Sequence, residues 1–196
     1  MQQPAITTVI LTGRPGSGKG TQAKRLASDF GWTHFSTGDL FKQFRGGEGP
    51  ISEKVRESYD AGHLLPDWFA TYLFEDTVLK LGNEAGIICE GYPRSEVQAE
   101  TFDSIMTWLE RPYIALDLQV PDEEVTRRML SRAEIEHRPD SATAEQIAVR
   151  LGIYHEHTAP VLEYFKKKGT LVTIDGTDTP EAVEISILNA LNSSNA

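Results

Sequence analysis

A glycine-rich loop with one lysine is the stretch of this sequence most suited to chemistry. Residues Gly13–Thr21 read GRPGSGKGT and follow the apolar run Ala5–Thr12. Glycine weakens helices and strands, so its density indicates that the backbone must approach something closely. The spacing Gly13-x-x-x-x-Gly18-Lys19 matches the phosphate-binding loop, in which backbone N–H groups at a helix N-terminus surround phosphate oxygens. The alternative is a glycine-rich turn with a solvated lysine, which the preceding strand and the following helix disfavour.

A cluster of arginines in the second half of the chain is another candidate anion site. Five of the eleven arginines fall between positions 127 and 150, on a chain whose formal net charge is −10. Arg128 and Arg132 are four residues apart, so a helix places both on one face. Arginine grips pairs of phosphate oxygens through its planar guanidinium group. The alternative is a set of surface arginines paired with nearby glutamates. Arg127 points to another face and is expected to be a solvated surface residue.

The elements that must position these groups are short apolar runs that alternate with helical patterns. Strands are predicted at Ala5–Thr12, 33–37, Gly86–Glu90, Tyr113–Val120 and Thr170–Asp175. Helices are predicted at about 19–30, 37–46, 50–61, 67–81, 95–110, 121–133, 143–168 and 179–192. Strands separated by helices imply a parallel sheet covered on both faces. The predicted fold class is therefore a doubly wound α/β domain.

Composition narrows the classes of function. The 196 residues fit a single domain, 1–196, with 39% apolar and 24% charged residues. No apolar run approaches the roughly 20 residues of a membrane span, and the first residues lack the features of a signal peptide. The charge of −10 argues against a general nucleic-acid or anionic-membrane surface. The single Cys89 permits no internal disulfide, which fits a reducing compartment and a cytoplasmic protein.

Five motifs taken together resemble the nucleoside monophosphate kinases, and the adenylate kinases most closely. They are GRPGSGKGTQ, FSTGDLF, EGYPRSEVQ, RRMLSR and RLGIYHEHTAP, in the family's order between about Ile6 and Gly176. The resemblance implies a P-loop NTPase-like parallel five-stranded sheet. It also implies a monophosphate-binding insertion at about 36–65 and a short lid at about 133–143. That lid contains no cysteine, so no structural zinc is expected there. A monomer is expected as well.

The resemblance also implies roles for individual residues. Those expected at ATP are Gly16, Ser17, Gly18, Lys19, Gly20, Thr21, Arg128, Arg132 and Gly176. Those expected at AMP are Thr37, Lys42, His63, Leu64, Leu65, Gly91, Tyr92, Pro93, Arg94, Gln98, Arg138 and Arg150. The charges expected to act on the transferring phosphates are Lys19, Arg94, Arg132, Arg138 and Arg150.

Gln98 and Thr37 favour AMP as the acceptor. The Gln98 amide can both donate to and accept from one base edge, and adenine offers that pair at N1 and N6. In the family this position is glutamine in adenylate kinases and usually asparagine in UMP/CMP kinases. Thr37 agrees, because the pyrimidine enzymes tend to carry alanine there. The alternative for Gln98 is an exposed helix residue.

Three positions depart from the usual patterns. Gly20 follows Lys19, so the hydroxyl that commonly binds magnesium is displaced to Thr21. Lys42 replaces the family arginine after STGD, although Arg45 lies on the same predicted helix. Glu90 replaces the aspartate that ends the third strand. An acid there should face the phosphate loop and hold water of a magnesium shell, because Mg²⁺ keeps most of its waters.

The function expected from these residues is ATP:AMP phosphotransfer with Mg²⁺, giving two ADP. Catalysis would come from positioning and from cationic charge, because no general base is evident. Asp39 is expected to cap or orient its helix. Two alternatives stay open: a kinase for another monophosphate, and a regulatory nucleotide-binding protein that has lost turnover.

Overall fold

Five parallel strands form the centre of the molecule in a computed structural model that describes residues 4, 6–82, 84–136 and 143–193. They are β1 (Thr8–Thr12), β2 (Thr33–Ser36), β3 (Ile87–Glu90), β4 (Tyr113–Gln119) and β5 (Leu171–Asp175). The strand order across the sheet is β2-β3-β1-β4-β5, and every neighbouring pair is parallel. The predicted α/β class with a parallel sheet is confirmed, and all five strands lie where the apolar runs predict them.

Nine α-helices are found in the described residues. They are α1 (Lys19–Phe30), α2 (Thr37–Arg45), α3 (Pro50–Asp60), α4 (Asp67–Leu79), α5 (Glu96–Trp108), α6 (Asp122–Glu136), α7 (Ala144–Ile153), α8 (Ala159–Lys167) and α9 (Pro180–Ser193). None of these described helices is long and apolar enough to span a membrane.

Both faces of the sheet are covered, and β1 shows why. Its residues Val9, Ile10 and Leu11 are all buried, and side chains on a strand point alternately to opposite faces. Ile10 belongs to the core under α4, α5 and α8, where Phe74 and Phe102 are fully buried. Val9 and Leu11 belong to the core under α1 and α9. A strand that is apolar at every position therefore requires helices on both sides.

The prediction of one continuous helix over 143–168 is wrong. The pattern over 143–168 is divided into α7, a π-helical turn at Tyr154–Thr158, and α8. Pro160 lies in the first turn of α8 and has no backbone N–H to bond to the carbonyl four residues earlier. A widened turn relieves that constraint. Helix α6 also continues to Glu136, beyond the predicted end at 133. Most of the predicted lid, residues 137–142, lies outside the described residues.

Candidate nucleotide site

The phosphate loop has the backbone conformation that its glycines predict. It connects the end of β1 to α1, and Gly13, Gly16 and Gly18 all have positive φ values, of 132°, 83° and 98°. A Cβ atom on Gly13 would lie 2.5 Å from the carbonyl oxygen of Leu118 in β4. The loop therefore packs directly against the backbone of the sheet, and it opens the first turn of α1 toward the cavity described below.

The ammonium group of Lys19 lies over this loop. Its Nζ donates hydrogen bonds to the carbonyl oxygens of Gly13 at 2.8 Å and Arg14 at 2.7 Å. Burial, together with the charges of Arg94 and Arg150, lowers the pKa of Lys19 to about 7, while the charges of Glu90 and Asp117 oppose this shift. An anion that enters the loop would therefore stabilise the charged form of Lys19.

Glu90 ends β3 and faces the phosphate loop, as the sequence predicts. A Cβ atom on Gly20 would lie only 3.0 Å from Glu90 Oε1, so the glycine leaves room for the longer acid. His34 on β2 lies 3.0 Å from Glu90 Oε2 through Nε2. Burial would raise the pKa of Glu90, but the hydrogen bond with His34 and the charge of Lys19 bring it below its usual value. The carboxylate is therefore charged and fixed in direction.

Arg94 is held by the turn that follows β3. Its Nε donates to the carbonyl oxygen of Gly91 at 2.7 Å. Gly91 has φ of 78°, and a Cβ atom there would lie 2.4 Å from Thr37 Oγ1 and 2.6 Å from Arg94 Nη2. Burial lowers the pKa of Arg94, and the charge of Arg150 lowers it further. Two arginines from distant parts of the chain therefore converge beside Lys19.

Arg150 comes from α7 and approaches the segment that follows α3. A Cβ atom on Gly62 would lie 3.2 Å from Arg150 Cγ. Because the charge of Arg150 acts on both Lys19 and Arg94, the three cations form one electropositive cluster. Like charges repel, so this cluster is stable only where burial is limited or where an anion offsets the repulsion between the cations.

Arg128 connects α6 to the loop after β5. Its Nη1 donates to the carbonyl oxygen of Gly176 at 2.9 Å, and its Nη2 donates to that of Thr177 at 3.1 Å. Glu124 accepts from Arg128 Nε at 2.7 Å and also pairs with Arg127. Arg127 has 71% of its side chain exposed, as predicted for a solvated surface residue. Arg128 and Gly176, which are both expected at ATP, are thus in contact.

The α2 segment presents a lysine where an arginine was expected from the family pattern. Lys42 Nζ donates to Asp39 Oδ1 at 3.3 Å and lines the cavity. Arg45, on the same helix, donates from Nε and Nη2 to Asp60 of α3, at 2.6 and 3.2 Å, and does not line the cavity. Asp39 lies in the first turn of α2, where its backbone N–H donates to the N-cap Ser36. The cap of α2 is therefore Ser36 and not Asp39, and an orienting role for Asp39 stays a prediction.

Three residues predicted at the monophosphate have their side chains buried behind the cavity wall. Thr37 is 0% exposed and donates to the carbonyl oxygen of Gly91 at 2.9 Å. Tyr92 is 1% exposed and packs between Phe35 and Phe74. Gln98 is 3% exposed, so the alternative of an exposed helix residue is wrong. Their contact with a nucleotide stays a prediction.

One cavity of about 970 Å³ joins most of the predicted residues. Of the predicted residues, those that line it are Gly16, Ser17, Gly18, Lys19, Gly20, Thr21, Lys42, His63, Leu64, Leu65, Glu90, Gly91, Pro93, Arg94, Arg128, Arg132, Arg150 and Gly176. It reaches from the phosphate loop and α6 on one side to α2 and the segment after α3 on the other. Arg138 lies outside the described residues. This volume lies at the upper end of the range of about 300–1,000 Å³ that is common for ligand pockets.

A network around the phosphate loop was missed by reasoning from the sequence. Arg14 Nε donates to Asp122, the first residue of α6, and Asp122 Oδ2 also lies 3.1 Å from His155 Nε2 in the π-helical turn. The Arg14 guanidinium lies 5.8 Å from the centre of the Tyr154 ring. No local pattern in the sequence signals it, because Arg14 and Asp122 are 108 residues apart and Asp122 and His155 are 33 apart.

Comparison with known proteins gives one consistent result. The family model described as Adenylate kinase matches residues 11–170. An adenylate kinase of Cyanothece sp. is 38% identical over 183 residues, covering 93% of each chain. One from Thermus thermophilus is 38% identical over 187 residues, covering 93% of this chain and 96% of the relative. One from Micrococcus luteus is 36% identical over 189 residues, covering 96% and 92%.

Proposed function

The chain belongs to the adenylate kinase family, and on that premise we propose that it transfers the terminal phosphoryl group of ATP to AMP, giving two ADP. The observation that carries the proposal is the single cavity in which a phosphate loop, Lys19, Arg94 and Arg150 converge. A transfer between two nucleotides needs two polyanions held end to end, and this cavity supplies the cations between two separate walls.

ATP is proposed to bind on the wall formed by the phosphate loop and α6. The backbone N–H groups of residues 16–21 would surround its phosphates, because they open at the N-terminus of α1. Arg128, bonded to Gly176, would lie against the base, and the half of the cavity lined by these two residues is continuous with the loop. Arg132, one turn further along α6, would reach the phosphates.

AMP is proposed to bind on the wall formed by α2, residues 62–65 and the turn at Gly91–Arg94. Arg94 would hold its phosphate, while Lys42 would add a point charge without a paired grip. His63, Leu64 and Leu65 line the cavity where the base would lie. Thr37, Tyr92 and Gln98 would act from just behind this wall.

The chemical step requires no covalent enzyme intermediate. An oxygen of the AMP phosphate attacks the γ-phosphorus, the bond from that phosphorus to the β–γ bridging oxygen breaks, and ADP leaves with the electron pair. Lys19, Arg94, Arg132, Arg138 and Arg150 are proposed to stabilise the charge on the transferring group. The described cluster of Lys19, Arg94 and Arg150 supports this, because three mutually repelling cations are suited to a polyanion.

Mg²⁺ is proposed as the cofactor, and the residues present fit it. Glu90 supplies one carboxylate at the phosphate loop, where it lies against Gly20 and is held by His34. One carboxylate with nearby phosphates suits Mg²⁺, which keeps several waters, better than an ion that needs a full set of protein ligands. When bound, the ion would neutralise charge on the nucleotide phosphates. Glu90 would hold its water, and Thr21 lines the same cavity.

We further propose that the protein acts as a cytoplasmic monomer. One chain brings both walls of the cavity together, which is compatible with a monomer. Cys89 is free and fully buried, and burial raises the pKa of its thiol, which suits an inert core residue in a reducing compartment.

A substrate panel tests the proposal. Purified protein with Mg²⁺ and ATP is incubated separately with AMP, CMP, UMP, GMP and dAMP, and nucleotide diphosphates are measured by chromatography. We expect AMP to be the best acceptor, and we expect Lys19→Met to abolish most of the activity while the protein stays folded. A preference for a pyrimidine monophosphate would overturn the choice of acceptor. ATP binding without turnover on any acceptor would favour a regulatory protein.

A further inference from the structure

The side-chain amide of Gln98 is held at both of its ends by partners of opposite polarity. Its Nε2 donates a hydrogen bond to Asp67 Oδ1 at 2.7 Å. Its Oε1 accepts a hydrogen bond from the backbone N–H of Arg94, also at 2.7 Å. Gln98 is only 3% exposed, so water has little access to its amide.

These partners permit one orientation of the amide. A carboxylate can only accept a hydrogen bond, and a backbone N–H can only donate one. If the amide turned over, its oxygen would face the Asp67 carboxylate and its NH₂ group would face the N–H of Arg94. Both bonds would be lost and replaced by repulsive contacts inside the protein, where unpaired polar groups are costly. The anchor from Arg94 belongs to the backbone, whereas the anchor from Asp67 belongs to a side chain that mutation can change.

Both anchors lie next to the proposed AMP wall. Asp67 is the first residue of α4. It comes three positions after Leu64 and two after Leu65, and both leucines line the cavity. Arg94 itself lines the cavity. The amide of Gln98 is therefore fixed at the edge of the space in which the acceptor base is proposed to lie.

The fixed amide keeps one hydrogen on Nε2 and one lone pair on Oε1 for a ligand. Adenine matches this remainder, because its N1 accepts and its 6-amino group donates. A 6-oxopurine has the reverse pattern, since its N1–H donates and its O6 accepts. It would need the turned-over amide that Asp67 opposes.

We propose that Asp67 is a specificity-positioning residue that makes the site prefer a 6-aminopurine monophosphate over a 6-oxopurine monophosphate. The inference rests on the proposed function, in which Gln98 contacts the acceptor base. Asp67 acts only through Gln98 and touches no substrate itself. The probe that isolates this effect is inosine 5′-monophosphate, which differs from AMP by an oxo group in place of the amino group.

A purely structural role for Asp67 makes a different prediction. An acidic residue in the first turn of α4 is stabilising because it faces the positive end of the helix dipole. Loss of that contribution would lower the stability of the protein or weaken both monophosphates alike. It would not change the ratio between AMP and inosine monophosphate, so the ratio is the informative quantity.

The test compares Asp67→Asn with the wild type. Dissociation constants and kcat/KM are measured for AMP and inosine monophosphate. We expect the preference for AMP to fall by about tenfold, with a gain for the inosine nucleotide, because an asparagine amide at this position can accept from Nε2 or donate to Oε1 and so no longer opposes the turned-over Gln98. Asp67→Glu keeps a carboxylate acceptor and should retain most of the preference. The matched control is Asp76→Asn on the same helix, where Asp76 pairs with exposed Lys80, and its ratio should not change.

A second measurement needs no variant. In the wild-type protein, side-chain amide hydrogen exchange by NMR should show a protected Gln98 NH₂ group, with exposed Gln43 as the unprotected reference. Equal exchange of the two amides would overturn the inference, as would an unchanged ratio in Asp67→Asn. In both cases the wild type would still use AMP. Failure of the wild type to use AMP would instead overturn the proposed function.

Discussion

The protonation of Lys19 makes nucleotide binding depend on pH in a way that can be measured directly. Burial lowers the pKa of Lys19 to about 7 in the free protein, with help from Arg94 and Arg150. A bound polyphosphate favours the ammonium form and should return the pKa toward the ordinary value of about 10.4. Binding should therefore take up a proton whenever the pH lies between these two values.

The size of the effect follows from the two pKa values. The free protein is about half protonated at Lys19 at pH 7 and about one per cent protonated at pH 9, so the affinity for ATP should fall by up to about fiftyfold between them. The carbonyl oxygens of Gly13 and Arg14 stabilise the ammonium form, which makes fiftyfold the upper end of the expected weakening. The sign is fixed, because affinity is lost as the pH rises through the pKa of the free protein.

Isothermal titration calorimetry can count the proton. ATP with Mg²⁺ and without acceptor is titrated at pH 8.5 in two buffers that differ in ionisation enthalpy, and the difference in heat gives the protons taken up. We expect close to one proton per ATP. Lys19→Arg is the matched control, because a guanidinium group stays protonated at this pH and should show no uptake. Equal heats in both buffers for the wild type would refute the reasoning.

Three further predictions concern the metal site, closure and the core. Glu90→Gln should cost far more activity than Glu90→Asp, because only Glu90→Gln removes the negative charge, and the lost activity should be partly recovered at high Mg²⁺. Equal, small losses of activity in steady-state assays would show that Glu90 does not act at the metal site. A bisubstrate analogue with two adenosines joined by five phosphates should bind more tightly than ATP and protect 36–65 and 133–143 from proteolysis, whereas protection of the phosphate loop alone would argue against two nucleotides. Phe102→Ala, at a fully buried ring, should lower the free energy of unfolding by about 3–5 kcal/mol in denaturant titrations, whereas Tyr72→Ala, at a 58% exposed ring, should cost less than about 0.5 kcal/mol.

The sheet and the phosphate loop could be predicted because their signals are local. Apolar runs such as Val9–Leu11 bury both faces of a strand, and the glycines of residues 13–18 have the positive φ values that only glycine adopts easily. The same holds for the placement of Glu90 at the carboxyl end of β3. Each of these conclusions needs only neighbouring residues and the rule that ligands bind at that edge of a parallel sheet.

The contacts that orient the site could not be predicted in the same way. His34 and Glu90 are 56 residues apart, and Asp67 and Gln98 are 31 apart. Their pairing depends on the register of β2 against β3 and on how α4 packs against α5, which no local pattern encodes. The break after α7 is a different case, because Pro160 is a local signal for it. The helical periodicity over 143–168 favoured one continuous helix in spite of that proline.

The fate of the terminal phosphate of ATP tests the central claim most directly. ATP labelled at its γ-phosphate is mixed with Mg²⁺, AMP and excess enzyme for a single turnover, and the products are separated with the protein retained. The account predicts that all the label that leaves ATP appears in the β-phosphate of ADP, with two ADP formed for each ATP consumed. Label in inorganic phosphate or on the protein, or no loss of label from ATP in the presence of AMP, would contradict it.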